Sequence, residues 1–367
     1  MEDFTLSEEQ VMLRDGARQF LEEQCSTDRV REVMETDRGY DEDLWKKLSE
    51  QGWPAMHIPE EFGGAGFTFA ETAILQQEMG RVLAPVPYLS SAILAAEAVL
   101  AAGSAEQKGA RLPELAAGSK IATVAIAEPG SGWDEAGVAA VATPSGEGFH
   151  LSGTKAYVTA GHVADWLVVA ARLDGAVRLF LVAGDDIAAS KVVTLDSTRP
   201  VSTVDLAGAP GELLEASSWP TVERIYQVGA VALAAEQVGG LERVLEMAVE
   251  YAKERKQFGR AIGSFQAVKH MCADMLVALE SARSAAAYAA LAIATGSDDA
   301  RTAAALAKSF CSEAYFTAAG DNIQVHGGIG FTWEHDAHLY FKRAKSTELL
   351  FGSPAFHRER LAAEVGL

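Results

Sequence analysis

Two short stretches of this sequence combine residue types that could bind a pyrophosphate and an aromatic ring. In YAKERKQFGRAIGSFQAVKH (Tyr251–His270), Arg255 stands near the predicted end of a long helix, which Phe258 and Gly259 are predicted to close. A planar guanidinium beside a helix end suits a pyrophosphate, and Phe258 offers a flat face to an aromatic ring. The same residues are also typical of a charged helix terminus with a hydrophobic C-cap, which local chemistry alone favours.

The second stretch is QVHGGIGF, from Gln324 to Phe331. Its adjacent glycines, Gly327 and Gly328, follow a predicted helix and would let the backbone approach a ligand closely. Glycines are equally ordinary at the end of a helix, so this stretch alone does not distinguish the two interpretations.

The elements that position these stretches follow from the hydrophobic periodicity. Helical spacing runs from about Leu6 to Leu115, and three long Ala-rich helices are predicted after Pro220. Between them lie short β-rich runs: IATVAI, FHLSGTKAYVT, WLVVAARL, VRLFLVA, KVVTL and STVDL. We predict an α+β fold with an N-terminal helical domain (1–117), a central small β-domain (118–218) and a C-terminal helical bundle (219–367).

Composition and charge exclude several classes of protein. Lys plus Arg is 31 and Asp plus Glu is 51, so a net charge of −20 repels nucleic-acid phosphates and anionic membranes. The first residues, MEDFTLSEEQ, are acidic where a signal peptide would be basic, and no apolar run is expected to reach the roughly 18 residues of a membrane span. The sequence therefore predicts a cytoplasmic protein with neither a nucleic-acid nor a membrane partner.

Five motifs together resemble the acyl-CoA dehydrogenase family over nearly the whole chain. They are EEFGGAGF at 60–67, AEPGSGWD at 127–134, GTKAYVTAG at 153–161, ERKQFGRAIGSFQ at 254–266 and QVHGGIG at 324–330. Family members are oligomeric flavoproteins in which FAD lies between two subunits. The resemblance implies that this chain binds the pyrophosphate and adenosine half of FAD through Arg255, Gln257, Phe258, Ile262, Phe265, Gln324, Val325, Gly327 and Gly328. The isoalloxazine ring of that FAD would lie in the neighbouring subunit.

The residue that should remove the substrate's α-proton is missing from both places where the family has it. In most members it is a glutamate followed by Gly-Thr, where RAKSTELLFGS places Phe351. In a minority branch it lies on the first long helix of the bundle, where this chain has Gly229. Neither residue can accept a proton, so no catalytic residue is predicted. Glu348 is the leading substitute, although a solvated helix glutamate is the simpler interpretation of that residue.

The flavin-ring pocket of this chain also departs from the family pattern. In AEPGSGWD, Ala127 replaces a hydroxyl residue that faces the flavin, and Trp133 replaces a serine that contacts FAD or substrate. Thr159 matches the family threonine near flavin N5, but Tyr157 precedes it in place of the usual tryptophan. The resemblance therefore implies a compromised ring pocket beside retained residues for a neighbour's flavin.

This pattern predicts the smaller, base-less subunit of a heterotetrameric (α2β2) acyl-CoA dehydrogenase resembling actinobacterial steroid-degrading enzymes. Its partners would be a homologous subunit with the catalytic glutamate, an acyl-CoA substrate and electron-transfer flavoprotein as electron acceptor. Two alternatives stay open: a self-sufficient homotetramer with an unrecognised base, and a non-catalytic, FAD-free scaffold. His335 and His338 are three residues apart, but without further placed ligands no metal site is predicted.

Overall fold

A computed structural model describes residues 6–146 and 148–366 of the chain. Two of its helices begin with a reciprocal capping box, Ser7 with Gln10 and Ser104 with Gln107. The α-helices of the described residues are α1 (Glu8–Gln24), α2 (Thr27–Met34), α3 (Glu42–Glu50), α4 (Phe69–Arg81), α5 (Ala96–Ala102), α6 (Ala105–Ala116), α7 (Trp219–Glu254), α8 (Gln266–Thr295), α9 (Ala300–His326), α10 (Ala337–Leu349) and α11 (Pro354–Glu364). A π-helix, Tyr88–Ala95, leads directly into α5.

The strands lie between α6 and α8. They are β1 (Ala122–Ala125), β2 (Val141–Ser145), β3 (Gly148–Ser152), β4 (Thr154–Thr159), β5 (Trp166–Leu173), β6 (Ala176–Ala183), β7 (Ala188–Lys191), β8 (Val201–Asp205), β9 (Ala209–Leu213), β10 (Lys256–Gln257) and β11 (Arg260–Ala261). This order of helices, strands and long helices confirms the predicted α+β class.

The chain divides into two compact units, each made of separate stretches. Unit 1 contains the residues up to Arg31, Ala73–Ala84 and the residues from Ala230 onward, and unit 2 contains Glu32–Thr72 and Pro85–Gly229. The predicted division into three sequential domains stays a prediction.

Unit 1 is helical, with α9 at its centre, packed against α8, α10 and α11. Small residues make this close packing possible: Ala303, Ala304, Ala307 and Ala319 of α9 are all buried. Helix α8 alone, within the described part of the chain, is long and apolar enough to cross a membrane by length and composition, a criterion that core helices of soluble proteins also meet. The expectation that no apolar run reaches that length was therefore wrong for α8.

Unit 2 contains the β-structure. Strands β5, β2, β3, β9 and β6 pair in a closed order, since β6 also pairs with β5, and β1 runs parallel to β5. A separate three-stranded sheet has the order β4-β8-β7. Leu151, Leu167, Phe180, Val204 and Leu206 belong to one apolar core that joins the two sheets.

The strand predictions needed three corrections. KVVTL is not a strand: β7 ends at Lys191, and the side chain of Val193 is fully exposed. FHLSGTKAYVT is two strands, because Gly153 has φ 139° and a Cβ there would meet that of Ala140 at 2.7 Å. Strands β2 and β9 were missed because each contains a proline, which usually argues against a strand.

Candidate active site and cofactor-binding residues

The Arg255 stretch forms a short hairpin rather than a helix C-cap. Helix α7 ends at Glu254, and β10 and β11 then pair around a two-residue turn. In that turn Phe258 and Gly259 have φ values of 51° and 77°, as a type I′ hairpin turn requires. The prediction that Phe258 and Gly259 close the helix was therefore wrong.

The hairpin presents its predicted cofactor residues to solvent. Arg255 and Gln257 are exposed, and the ring of Phe258 is 92% exposed. Phe265 precedes α8, and its ring centroid lies 6.1 Å from that of Phe258 in an edge-on arrangement. Ile262, partly buried, donates its backbone N–H to the carbonyl of Arg255 at 2.8 Å, which holds the base of the hairpin against the end of α7.

Sequence reasoning missed a second guanidinium on this hairpin. The Arg260 guanidinium lies 4.0 Å from the centroid of the Phe265 ring, a cation–π geometry. The sequence did contain a signal, because Arg260 directly follows Phe258-Gly259. In the structure the antiparallel register places Arg260 opposite Gln257. The hairpin therefore offers two guanidinium groups and two aromatic rings.

The glycine stretch forms an open turn at the end of α9. Gly327 has φ 61°, and a Cβ added at Gly327 or Gly328 would meet nothing within 4 Å. Gln324 is exposed on the last turn of α9, whereas Val325 is 7% exposed and packs inward. Backbone without side chains, facing open space, fits the close approach of a phosphate or sugar.

An aromatic stack brings the hairpin and the glycine turn together. The His326 ring lies 4.3 Å from the ring of Tyr251, one turn before Arg255, and 4.3 Å from the ring of His335. Burial lowers the pKa of both histidines, and His326 adds to the lowering for His335. Arg31 donates to the carbonyl of Trp333 at 2.8 Å and pairs with Asp336 at 2.9 Å, which fixes the chain after the turn. Unit 1 thus places the hairpin and the glycine turn close together, although Val325 packs inward and does not face a ligand with the other predicted residues.

The position that the resemblance assigns to the base holds a buried hydrocarbon ring. Phe351 is 6% exposed, has φ 59°, and accepts a hydrogen bond on its carbonyl from His357 Nε2 at 2.9 Å. The backbone around it is held by Lys308, whose Nζ donates to the carbonyls of Thr347 (2.8 Å), Glu348 (3.0 Å) and Gly352 (3.3 Å). The turn is therefore well supported, yet its side chain has no group that can take a proton.

Burial changes the chemistry of the residues that hold this turn. It lowers the pKa of Lys308 to about 7, and burial together with the Lys308 charge lowers the pKa of His357 to about 3. Lys308 was not singled out from the sequence, because a lone lysine in an Ala-rich helix looks like a solvated residue. Glu348 is less solvated than was expected, since its side chain is only 15% exposed and its carboxylate lies 3.0 Å from Lys345 Nζ.

In unit 2 the predicted ring-binding residues lie beside packed aromatic side chains. The Trp133 ring is 5.6 Å from the ring of Tyr226 and 6.4 Å from that of Tyr157. Tyr157 has φ 57° and is 54% exposed, at the bulge of β4. Trp219 approaches Tyr226 at 6.3 Å. We call Trp133, Tyr157, Trp219 and Tyr226 the aromatic cluster.

Two further residues of unit 2 stand at positions where the resemblance implies flavin contacts. Ala127 has no hydroxyl, and its carbonyl accepts the backbone N–H of Ala156 at 2.9 Å. Thr159 is 6% exposed, and its carbonyl accepts a hydrogen bond from Thr123 Oγ1 at 2.7 Å. Ala127 therefore offers no hydroxyl where the resemblance implies one, whereas the hairpin and the glycine turn offer guanidinium groups and open backbone that suit a pyrophosphate.

A buried ion pair fixes the loop that contains Trp133. Lys155 Nζ, with a fully buried side chain, lies 2.7 Å from Glu128 Oε1 and donates to the carbonyl of Ile126 at 3.1 Å. The same carboxylate oxygen accepts the backbone N–H groups of Ala139 and Ala140. Burial is the largest single influence and would raise the pKa of Glu128, but the hydrogen bonds from Lys155, Ala140 and Ala139 and the Lys155 charge together lower it.

Comparison with known proteins decides the family. The acyl-CoA dehydrogenase N-terminal domain model matches residues 7–119, and the acyl-CoA dehydrogenase C-terminal domain model matches residues 219–366. The chain belongs to the acyl-CoA dehydrogenase family. It is therefore a member of a family of flavin-dependent oxidoreductases whose cofactor is FAD, and the predictions of family, fold and cofactor are confirmed.

Three relatives are similar along almost the whole chain. Acyl-CoA dehydrogenase IpdE2 from Mycolicibacterium smegmatis is 39% identical over 361 residues, covering 98% of this chain and 100% of the relative. A chain of the ChsE4-ChsE5 complex from Mycobacterium tuberculosis superposes with a TM-score of 0.92 at 32% identity, covering 99% and 98%. A chain of the steroid acyl-CoA dehydrogenase Tcur3481-Tcur3483 gives a TM-score of 0.90 at 33% identity, covering 98% of each chain. The last two structures are each named for two proteins, ChsE4 with ChsE5 and Tcur3481 with Tcur3483.

Proposed function

We propose that this chain is the base-less subunit of a heterotetrameric (α2β2) acyl-CoA dehydrogenase. The observation that supports this most strongly is Phe351: a buried phenyl ring stands at the base position, on a turn that Lys308 and His357 hold in place. The second base position, Gly229, has no side chain. Glu348 supports a self-sufficient enzyme poorly, because its carboxylate is already paired with Lys345.

In this proposal the chain contributes binding groups to an FAD shared with the partner. Arg255 and Arg260 supply positive charge for the pyrophosphate. The Phe258 ring supplies a flat apolar face for the adenine ring. Gln324 and the open backbone of Gly327 and Gly328 line the remaining contact. Bound FAD supplies the acceptor for the hydride that leaves the substrate β-carbon, and the partner's glutamate removes the α-proton.

The aromatic cluster supports different roles for the two subunits in binding FAD. Trp133 packs against Tyr226, and both Trp133 and Ala127 stand where the resemblance implies polar contacts with the flavin or substrate. The complex would then hold one FAD for each pair of chains, with its ring in the partner. We further propose a CoA thioester with a steroid-derived acyl group as the substrate, electron-transfer flavoprotein as the acceptor, and the cytoplasm as the compartment.

The experiment compares the chain alone with the chain co-produced with a neighbouring acyl-CoA dehydrogenase chain that has glutamate at its base position. We expect turnover of acyl-CoA substrates only in the complex, because positioned acid–base catalysis contributes about 10² to 10⁴ in rate. The assay follows reduction of an artificial electron acceptor with straight-chain and steroid-derived CoA thioesters. Turnover by the isolated chain would refute the proposal, and the Glu348→Gln variant would show whether Glu348 is then the base.

A further inference from the structure

His326 lies between the two segments that the proposed function assigns to FAD. It is the last residue of α9 and directly precedes the glycine turn at Gly327 and Gly328. Its imidazole stacks on the ring of Tyr251, with the centroids 4.3 Å apart and the planes inclined by 26°. Tyr251 stands one helical turn before Arg255, whose backbone N–H it accepts at 2.9 Å. A positive charge on the His326 ring would therefore act on both segments.

The hydrogen bonds of this ring show which of its nitrogens can take up a proton. Nδ1 of His326 lies 2.8 Å from the backbone carbonyl oxygen of Asn322. A carbonyl oxygen can only accept a hydrogen bond, so Nδ1 carries the proton of the neutral ring and Nε2 has the free lone pair. In the contacting ring of His335 the arrangement is reversed, because Nδ1 accepts the backbone N–H of Ala337 at 3.1 Å. Protonating His335 would break that bond, whereas protonating His326 at Nε2 leaves its bond to Asn322 intact.

Two features of the fold favour a positive charge on His326. The C-terminal end of α9, a helix of 27 residues, carries a partial negative charge that attracts a cation in the last turn. The face of the Tyr251 ring also attracts a cation that is stacked on it. Burial has the opposite effect, since His326 is 6% exposed and burial lowers its pKa below the usual value for histidine. The ring is therefore neutral at pH 7 until a further negative charge comes close.

The groups that act on the two stacked histidines are paired or neutral. Tyr251 faces His326 from α7, and His335 faces it from the segment that joins the glycine turn to α10. Burial is the main cause of the lowered pKa of His335, which is therefore neutral at pH 7. The other charged or titratable groups near His335 belong to α2 and to the start of α10: Arg31, Asp336 and His338. Arg31 and Asp336 form an ion pair at 2.9 Å, and burial keeps His338 neutral by lowering its pKa.

We propose that binding of FAD at the hairpin and the glycine turn adds one proton from solvent to Nε2 of His326, which gives this contact a positive charge in addition to Arg255 and Arg260. The inference rests on the proposed function, because it needs the pyrophosphate of FAD at these two segments. A nearby opposite charge favours the protonated form of a histidine, and the pyrophosphate supplies negative charge. His326 thus adds electrostatic attraction to FAD only in its protonated form.

The consequence is an affinity for FAD that depends on pH. The pKa of His326 lies below its usual value in the complex without FAD, and the pyrophosphate raises it in the loaded complex. Between the two pKa values the free ring is neutral and the bound ring is protonated. The affinity for FAD should therefore fall by up to about tenfold for each unit of rising pH in this range. Above and below the range, the contribution of His326 to the affinity is constant.

Calorimetry of the intact complex tests the proton uptake directly. The complex is stripped of FAD, checked for size and titrated with FAD in PIPES and in Tris, two buffers that release a proton with different heats. We expect the difference between the two binding heats to correspond to about one proton taken up where the affinity changes most steeply, within about pH 5.5 to 8. Equal heats in both buffers across this range would overturn the proposal.

Variants of three histidines assign the proton. His326→Phe keeps a flat ring against Tyr251 but has no Nε2, so proton uptake and the pH dependence of FAD affinity should both disappear. His326→Gln, which can still donate to the carbonyl of Asn322, repeats this test without the ring. His335→Gln should keep both effects, and so should the control His150→Gln, at an exposed histidine of β3. Proton uptake that persists in His326→Phe or His326→Gln would overturn the proposal.

The outcomes separate this inference from the proposed function. A complex that loses FAD on Arg255→Ala but binds FAD without proton uptake would overturn the role of His326 and leave the FAD contact of this chain standing. Turnover of acyl-CoA by the isolated chain would refute the base-less-subunit proposal. Proton uptake would then be measured on that chain, with the same expected dependence on His326.

Discussion

The Arg255 hairpin of unit 1 and the aromatic cluster of unit 2 differ in what they leave open to a ligand. At the hairpin, Phe258 and the neighbouring guanidinium groups face solvent, and the glycine turn presents bare backbone. In the cluster, Trp133 and Tyr226 pack against each other, and Ala127 stands where the resemblance implies a hydroxyl residue. The hairpin therefore offers charge and open backbone to a ligand, whereas the cluster offers aromatic rings packed against one another.

The same contrast appears within unit 1 at the Phe351 turn. The backbone there is supported by Lys308 and His357 through several hydrogen bonds, although its side chain cannot perform proton transfer. The hydrogen bonds that hold the backbone of this turn therefore do not depend on whether its side chain can transfer a proton. Four predictions test whether the scaffolding of both regions is intact while only the hairpin serves FAD.

The largest expected effect is on the stability of unit 2. Lys155→Met should lower the free energy of unfolding by about 3–5 kcal/mol, because it leaves the Glu128 carboxylate charged and without its cation inside the protein. Urea unfolding of the isolated chain measures the loss. Lys191→Met, at an exposed lysine of β7, is the control and should cost about 0.5 kcal/mol or less. A loss below 1 kcal/mol for Lys155→Met would show that this ion pair does not fix the loop that contains Trp133.

The next effect concerns FAD affinity at the hairpin. Arg255→Ala in the intact complex should weaken FAD binding about ten- to a hundredfold, because a hydrogen bond to a charged group contributes about 1.5–3 kcal/mol. Activity should fall with the loss of FAD even if, as proposed, this chain performs no proton transfer. The complex is first checked for size, and flavin retention is then measured by absorbance and fluorescence. An Arg255→Ala complex that keeps its FAD under dilution would contradict the assigned role.

How far the sequence predicted this site depends on the kind of residue. The open glycine turn was predictable because two adjacent glycines directly follow a helical pattern, whereas the FAD-binding role of Arg255 stays a prediction. The hairpin at Phe258 was not, since Phe-Gly after a helix indicates a C-cap as readily as a turn. Strand β9 and the exposed 192–195 loop depend on pairings between distant segments, which local propensity does not encode.

Buried polar residues were the hardest to predict. Lys308 lies in an Ala-rich helix and Tyr226 in an apolar one, and neither has a local signal that identifies its partner. Lys308 meets carbonyls about 40 residues later in the chain, and Tyr226 meets Trp133 about 90 residues earlier. Only the tertiary structure brings these residues together.

A smaller effect is expected in the pH dependence of stability. Burial lowers the pKa of Lys308 to about 7, whereas the unfolded chain keeps that proton up to about pH 10. The folded state therefore binds fewer protons in this range, and stability should rise between pH 7 and 8.5 by up to about 1.4 kcal/mol per pH unit from this group. Lys308→Met should remove this rise, and Lys345→Met should not. Parallel slopes for wild type and Lys308→Met would show that Lys308 is not buried in its neutral form.

The smallest effect is expected at Thr159. It shows whether the aromatic cluster, like the hairpin, contacts FAD. If the flavin ring lies in the partner, Thr159→Val should change the FAD affinity of the complex by less than about twofold, because no flavin atom meets its hydroxyl. The same complex should contain one FAD for each pair of chains, measured by flavin absorbance against total protein. Thr159→Val keeps the volume of the side chain and leaves the carbonyl that Thr123 bonds, so a loss of FAD could not be ascribed to a general change in β4. Two FAD for each pair, or a variant that loses FAD while Arg255→Ala retains it, would mean that the aromatic cluster accommodates a ring and that the roles of the two subunits are reversed.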